Sequence, residues 1–270
     1  MGSGLRHSRG NLRRAPRGRW ARRAAISLLT LLPVVGARAA HPLITEDAYT
    51  LGSGVSQLEI GAEEVRFDEP GLDGRVSQVR PVFSHGLRDD VDILVGAPYL
   101  DTRESSLAGV ERTRGLGDVS VELKWRFHDD GRTKLALKPG FTLTTGNFDK
   151  GLGTGRSVPS VFLVSTFERA GWYYNLHTGY LRNNNKGELR KDLFHLSGSA
   201  VVRASPRVQW AVDVSADSSV DRQESSFPVV ALAAVIYSPL ENLDLDLGMR
   251  VGLNSAADDR AFLAGVTVRW

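Results

Sequence analysis

A histidine and a serine two residues apart, His195 and Ser197, are the residues here that could act as a base and its nucleophile. In a β-strand such a pair lies on one face, about 6.6 Å apart along the chain. Hydrolysis would also need a hydrogen bond between them and a third group that orients the imidazole. His177 and Asn175 lie on the strand predicted before this pair, but the sequence places no third member convincingly.

Charged side chains form a second candidate site, because they recur at alternate positions of predicted strands. Two groups stand out: basic Lys124, Arg126, Lys134 and Lys138, and acidic Asp213, Asp217, Asp244 and Asp246. A basic wall facing an acidic wall across water would orient dipolar solutes and hinder purely apolar ones. The alternative is that these charges pair with one another and only solvate a narrow interior.

Several classes of chemistry have no support in the sequence. The chain has no cysteine, which excludes thiolate metal sites and thiol catalysis. His177 and His195 lie on different strands without a further ligand, so we expect no metal. No nucleotide-binding G-x-x-x-x-G-K-[ST] motif occurs. We therefore expect no cofactor.

The charge distribution separates the first 39 residues from the rest. They contain nine arginines and no acid, whereas the remainder carries a net charge of −6, so a nucleic-acid partner is not expected. An apolar run of 13 residues, 24–36, precedes Ala37-Arg38-Ala39, a small-x-small cleavage pattern. This order predicts a secretory signal peptide over residues 1–39, and an exported body over 40–270.

The exported body alternates apolar and polar residues with a period of two. In 119–127, for example, Leu123 and Trp125 alternate with Lys124 and Arg126. The alternation predicts twelve strands, at about 55–66, 75–87, 91–100, 119–127, 133–144, 157–168, 172–182, 193–204, 208–217, 228–238, 243–253 and 261–270. Tight turns alternate with longer polar loops, predicted at 67–74, 101–118, 145–156, 183–192, 218–227 and 254–260.

Short turns on one side and long loops on the other are typical of outer-membrane barrels. The predicted fold class is all-β: a closed antiparallel transmembrane β-barrel of about twelve strands, after a cleaved signal peptide. Lipid cannot hydrogen-bond an open sheet edge, so the sheet must close with its apolar face outward. The alternative is a soluble sandwich or lipocalin-like barrel with that face inside.

Several motifs resemble a family of bacterial outer-membrane proteins named for the MetA pathway of phenol degradation. They are Pro81 to Leu87, Val91 to Tyr99, Gly115 to Asp118, Lys124 to Phe127, Lys138 to Phe141, Thr145-Gly146, Gly151 to Gly155, and Trp172 to Tyr180 with Asn175 in the middle. The resemblance implies an outer-membrane channel associated with uptake of aromatic or other poorly permeant carbon sources.

Together these observations predict a passive outer-membrane channel for small molecules, with aromatic or hydrophobic solutes favoured by the resemblance. It is not expected to be an enzyme. The alternative is a lipid hydrolase of the outer-membrane phospholipase A type, using His195 and Ser197. The expected partners are outer-membrane lipid, a small-molecule solute and the outer-membrane assembly machinery.

The last strand alternates up to Trp270, and a C-terminal aromatic resembles the signal by which barrels are recognised for assembly. Replacing Trp270 by Ser should therefore lower the amount of protein in the outer membrane, measured in fractionated membranes. Unchanged amounts would mean that the other outward residues suffice for insertion.

Overall fold

The computed structural model describes residues 41–69, 72–106 and 109–270. The predicted signal peptide, residues 1–39, lies outside them. No helix within these ranges is long and apolar enough to cross a membrane.

Antiparallel strands make up most of the described chain. Their bounds are β1 Ser56–Glu69, β2 Leu72–Arg88, β3 Val91–Gly96, β4 Tyr99–Ser106, β5 Gly109–Leu116, β6 Ser120–Asp129, β7 Thr133–Thr142, β8 Pro159–Arg169, β9 Trp172–Arg182, β10 Asp192–Ser205, β11 Val208–Asp217, β12 Val229–Leu240, β13 Leu243–Gly252 and β14 Arg260–Arg269. A single-turn 3-10 helix, Phe148–Lys150, lies in the loop after β7.

The sheet closes on itself, because β1 pairs with both β2 and β14. β3 and β4 pair with successive parts of β2 and form one barrel strand. β5 and β6 form the next in the same way, since they pair with β4 and β3. The fourteen segments are therefore twelve barrel strands, which confirms the predicted closed antiparallel barrel.

The apolar face of each strand points outward. Leu123, Trp125, Leu245 and Leu247 are exposed on the outer surface, whereas the alternate polar residues are buried inside. This is the arrangement that a lipid environment selects, and it is the reverse of a soluble barrel. The soluble alternative is thereby excluded.

Two of the predicted loops are largely strands. β1 and β2 extend into the predicted 67–74 loop, with Phe67 paired to Gly74, and most of the predicted 101–118 loop is the β4–β5 hairpin. The polar composition of these segments obscured the pairing. Each strand is stabilised here by ladder hydrogen bonds above the apolar band, where side chains of either face meet water.

The tight turns lie at the end of the barrel where the first strand begins and the last strand ends. In one of them, 130–132, the backbone N–H groups of Thr133 and Arg132 donate to the carboxylate of Asp130 and lower its pKa. The opposite end carries the longer loops. By the rule that outer-membrane barrels have short periplasmic turns, the turn end faces the periplasm.

Asp118 organises the loop between β7 and β8. Its carboxylate accepts hydrogen bonds from the N–H groups of Gly146 (2.9 Å) and Thr154 (2.8 Å). A Cβ on Gly153 would lie 2.5 Å from the Asp118 side chain, so only glycine fits there without a shift. Three of the glycine-containing family-like motifs therefore meet at a single extracellular contact.

Trp270 lies at the seam where the last strand meets the first. Its backbone exchanges hydrogen bonds with Ser56 (2.9 and 3.0 Å), and its ring lies 6.3 Å from that of Phe83 on the outer surface. The residue that we predict to act in assembly therefore also closes the barrel.

A charge at mid-height on the outer surface should be costly. Leu247 lies in the middle of β13 and is 63% exposed, so replacing it by Arg should destabilise the barrel by about 2–4 kcal/mol. The control is Leu240→Arg at the periplasmic end of β12, which should cost only about 0–1 kcal/mol. Urea unfolding in lipid vesicles measures both, and equal losses would contradict the assigned membrane depth.

Candidate functional site

The lumen of the barrel is crossed by the chain that precedes the first strand. Residues 41–54, here called the luminal segment, form no strand and contact the inner wall at β13, β11, β7, β8 and β3. Thr45, Glu46 and Ala48 are almost completely buried. Alternation predicts only strands, so sequence reasoning did not find this element.

On one side the luminal segment is held by acidic wall residues. The carboxylate of Asp213 accepts hydrogen bonds from the N–H groups of Ile44 (3.1 Å) and Thr45 (2.7 Å). The ring of His41 lies 2.6 Å from Asp246, measured between Nδ1 and Oδ1. Two of the predicted acidic-wall residues therefore bind this segment.

On the other side the luminal segment supplies the acids and the wall supplies the bases. Glu46 pairs with Lys138, and its second carboxylate oxygen lies 3.9 Å from Nζ of Lys124. Asp47 lies 3.5 Å from the same Lys124 ammonium. Both lysines and Glu46 are fully buried, so each charge depends on its partners for compensation.

Uncharged groups hold the next residues towards the periplasm. Ala48 donates its N–H to Thr166 (2.8 Å), which donates to Asn175 (2.7 Å), which donates to Ser199 (3.0 Å). This relay links the luminal segment to β8, β9 and β10. Asn175 is the central residue of the last family-like motif.

Two further contacts fix the part of the luminal segment that leaves the barrel. The hydroxyl of Tyr49 donates to Glu168, and Leu51 donates its N–H to Asp92 (3.0 Å). The Lys134 ammonium lies over the Tyr49 ring, 4.8 Å from its centre, and 2.6 Å from Glu168. Most of the length of this segment is therefore bonded to the wall.

Glycines on the inner wall make room for the luminal segment. A Cβ on Gly61 would lie 2.2 Å from the ring of His41, and one on Gly265 would lie 2.3 Å from it. A Cβ on Gly86 would lie 1.8 Å from the carbonyl oxygen of Gly52. Inward-facing glycine is the sequence signal that could have revealed a backbone packed inside the barrel.

The other predicted wall residues do not touch the luminal segment in the same way. Arg126 lies at the periplasmic end, where it contacts Asp129 (3.4 Å) and a turn carbonyl. Asp244 pairs with Arg269 (2.8 Å), and Asp217 binds His195. The structure thus places the luminal segment between a basic side and an acidic side, where the sequence analysis expected water.

The luminal segment separates two cavities of the described interior. The extracellular cavity, ≈ 130 Å³, is lined by His41, Arg80, Phe162, Arg250 and Leu263 among others. The periplasmic cavity, ≈ 270 Å³, is lined by polar groups that include Tyr49, Arg203 and Asp244. Leu43 borders both cavities, so it lies at the point where they would join.

An apolar stripe covers part of the inner wall. Its residues are buried and pack in one cluster with Leu43: Val65, Phe67, Val76, Val201, Ala211, Leu232, Ala234, Ala261 and Leu263. They lie on β1, β2, β10, β11, β12 and β14. The lumen is therefore not uniformly polar.

His195 and Ser197 do form a hydrogen-bonded chain, with a third member that sequence analysis missed. Nε2 of His195 lies 2.9 Å from Oγ of Ser197, and Nδ1 lies 2.7 Å from Asp217 on the next strand. Asp217 is thus the third residue that the sequence did not place convincingly. The tight turn between β10 and β11, together with the bulge between Arg203 and Ser205, sets the register that pairs His195 with Asp217.

Comparison with known proteins agrees with this architecture. The chain matches, over residues 39–270, the family described as "Putative MetA-pathway of phenol degradation". Since the match covers most of the sequence, the chain belongs to this family, and the resemblance seen in the motifs is confirmed. The match includes the luminal segment.

Solved structures share the fold at low sequence identity. The COG4313 outer membrane channel from Pseudomonas putida F1 has a TM-score of 0.65 and 13% identity, covering 83% of this chain and 98% of that one. The KdgM porin has a TM-score of 0.54 and 8% identity, covering 78% and 98%. The NanC porin has a TM-score of 0.51 and 9% identity, covering 79% and 98%. No curated protein matches the sequence.

These findings define an outer-membrane β-barrel. The fold is the one that bacterial outer-membrane channels and porins adopt, which confirms the predicted location in the outer membrane. The particular family is the phenol-degradation family given above.

Filling the space at the two paired glycines should displace the start of the luminal segment. In Gly61→Ala with Gly265→Ala, the new methyl groups overlap the His41 ring. The amides of Ile44 and Thr45 should then exchange their hydrogens at least about tenfold faster. Gly198→Ala is the matched control, because its Cβ meets only ordinary contact at 3.6 Å. Equal exchange in both variants would mean that the wall does not position this segment.

Proposed function

We propose that the protein is a passive channel for small molecules in the outer membrane. The observation that carries this proposal is that the described obstruction between the two cavities is a short segment held without any covalent link to the wall. Moving that segment would join the cavities at Leu43 into one path. The shared fold of outer-membrane channels and porins supports the same class of function.

The charged walls act first on the luminal segment and then on a solute. With the segment in place, Lys124 and Lys138 are buried against Glu46, and Oδ2 of Asp213 accepts hydrogen bonds from two backbone N–H groups. When the segment moves, these side chains would line opposite sides of the path. The lumen charges would therefore select solutes only in the open channel.

Aromatic or hydrophobic growth substrates are the solutes we propose. The apolar stripe gives such a molecule a continuous surface beside the charged groups, and it passes Leu43, where the cavities meet. Family membership points to the same class. A solute with one apolar face and one polar group would match both surfaces.

Removing the obstruction should raise ionic current. Deletion of residues 41–50 should give a channel whose single-channel conductance in a planar bilayer exceeds that of the parent several-fold, because the two cavities then join. The Gly61→Ala, Gly265→Ala barrel should change in the same direction. Tyr49→Phe is the control, since it keeps the ring over Lys134 and loses one hydrogen bond.

An aromatic solute tests the proposed class in the opened barrel. Phenol should reduce the current of the deletion variant more than glycerol at the same concentration. Parental conductance in both opened variants would rule out the path through the lumen, and equal reduction by the two solutes would rule out the aromatic preference.

Lipid hydrolysis is the second candidate, because Asp217, His195 and Ser197 form a hydrogen-bonded chain of the nucleophile–base–acid type. Three features oppose it. Ser197 is only 2% exposed and faces the lumen. Its neighbour Leu196, 53% exposed, faces the lipid instead. The Ser197 N–H belongs to the sheet, where β10 pairs with both neighbours, so it is not available to stabilise an oxyanion.

Fatty-acid release distinguishes the channel from the lipid hydrolase. We expect no fatty-acid release from phospholipid vesicles by the purified protein, and no change on His195→Ala. Release that His195→Ala abolishes, with Thr178→Ala as an unaffected control, would establish the hydrolase and contradict the non-enzymatic proposal.

A further inference from the structure

The interior of the barrel contains more buried acids than bases. Among the described residues, the buried carboxylates are Glu46, Glu59, Asp92, Glu122, Asp213, Asp244 and Asp246, and the buried cations are Lys124, Lys134, Lys138 and Arg250. A buried charge is costly unless an opposite charge or hydrogen-bond donors compensate it. Arg269, His41 and the half-buried Arg80 also lie among these acids, so a missing cation has to be located carboxylate by carboxylate.

Glu59 is where the compensation is missing. It is buried on β1, and within the described chain its carboxylate has neither a hydrogen bond nor an ion pair; Oε2 is completely enclosed. Oδ2 of Asp246, across the pair Gly61–Gly265, is also enclosed and unbonded. Arg80 is on the neighbouring strand, yet it makes no ion pair within 4 Å of Glu59 there.

His41, the first described residue, lies at this site. Its ring rests on Gly61 and Gly265, and its Nδ1 is bonded to the other oxygen of Asp246. Consecutive Cα atoms are about 3.8 Å apart, so whatever precedes His41 must start beside these carboxylates.

The small-x-small pattern Ala37-Arg38-Ala39 predicts cleavage just before residue 40. Cleavage there would make residue 40 the first of the mature chain and create a positively charged α-amino group one residue from His41. The family match begins at residue 39, which agrees with this boundary.

We propose that Glu59 and Asp246 form a binding site for the α-ammonium group that signal-peptide removal creates at residue 40. The new N-terminus is the missing cation, and its ion pair with Glu59 completes the anchoring of the luminal segment. Removal of the signal peptide is then a condition for filling the lumen, because an uncleaved chain has no α-ammonium group and no free end at this position.

Amine labelling of the mature protein tests the proposal independently of conductance. The intact mass of the barrel purified from outer membranes should correspond to a chain that starts at residue 40. Near neutral pH an amine-reactive ester prefers α-amino groups, whose pKa is about 8, over lysine. In the folded protein the N-terminus should react at least about tenfold more slowly than in the protein unfolded in denaturant.

Three variants make the test specific. Glu59→Gln should restore fast labelling in the folded barrel, whereas Glu64→Gln should not, because Glu64 lies five residues further along β1, is partly exposed and pairs with Arg66. Insertion of Gly-Ser after residue 39 moves the amine by up to about 7 Å and should also restore labelling. The heat-dependent gel shift of a folded barrel confirms that each variant is intact.

The proposal is overturned by a mature chain that starts elsewhere, or by a wild-type N-terminus that reacts equally fast folded and unfolded. A protected N-terminus whose reactivity is the same in the Glu59→Gln and Glu64→Gln variants would also overturn it. That result would mean that the site holds a solvent cation.

Discussion

The hydrocarbon core of a membrane offers no hydrogen-bond partner to a peptide group, and the rest of this structure depends on that constraint. It requires a sheet whose ends meet, which is why β1 pairs with β14 and why Trp270 bonds to Ser56 at the seam. It also requires that apolar residues such as Leu123 and Leu247 point outward. With a strand period of two, the polar half of every strand must then point inward.

The charges of these inward side chains have to be compensated in a narrow lumen. Some charges pair within the wall, as Asp244 does with Arg269. Others are paired by the luminal segment, which presents acids to Lys124 and Lys138 and N–H groups to Asp213. Removing one partner of a buried pair costs about 3–5 kcal/mol, so the segment and the wall stabilise each other. An opened channel must replace those contacts by water or solute.

The barrel could be predicted from the sequence because alternation is a local pattern, and because lipid requires apolar residues at the outward positions. The strand expected at 119–127 is Ser120–Asp129, and that expected at 208–217 is Val208–Asp217. Prediction was poorer where lipid exerts no control: the β4–β5 hairpin above the membrane and the contacts of Asp118 have no periodic signature. The luminal segment has none either, because it is held by residues distant in the sequence, such as Asp213, which lies 168 residues from Thr45.

Glycine could have supplied part of what alternation missed. In a strand that faces lipid on one side, an inward position normally carries a polar side chain, so a glycine there leaves space. Gly61 and Gly265 are paired across β1 and β14, so the two missing side chains leave a single gap. A gap beside buried acids, at the level of Asp246, admits a neighbouring chain only if that chain brings donors or positive charge. The missing side chains therefore indicate that something fills the lumen there, and the surrounding carboxylates indicate its charge.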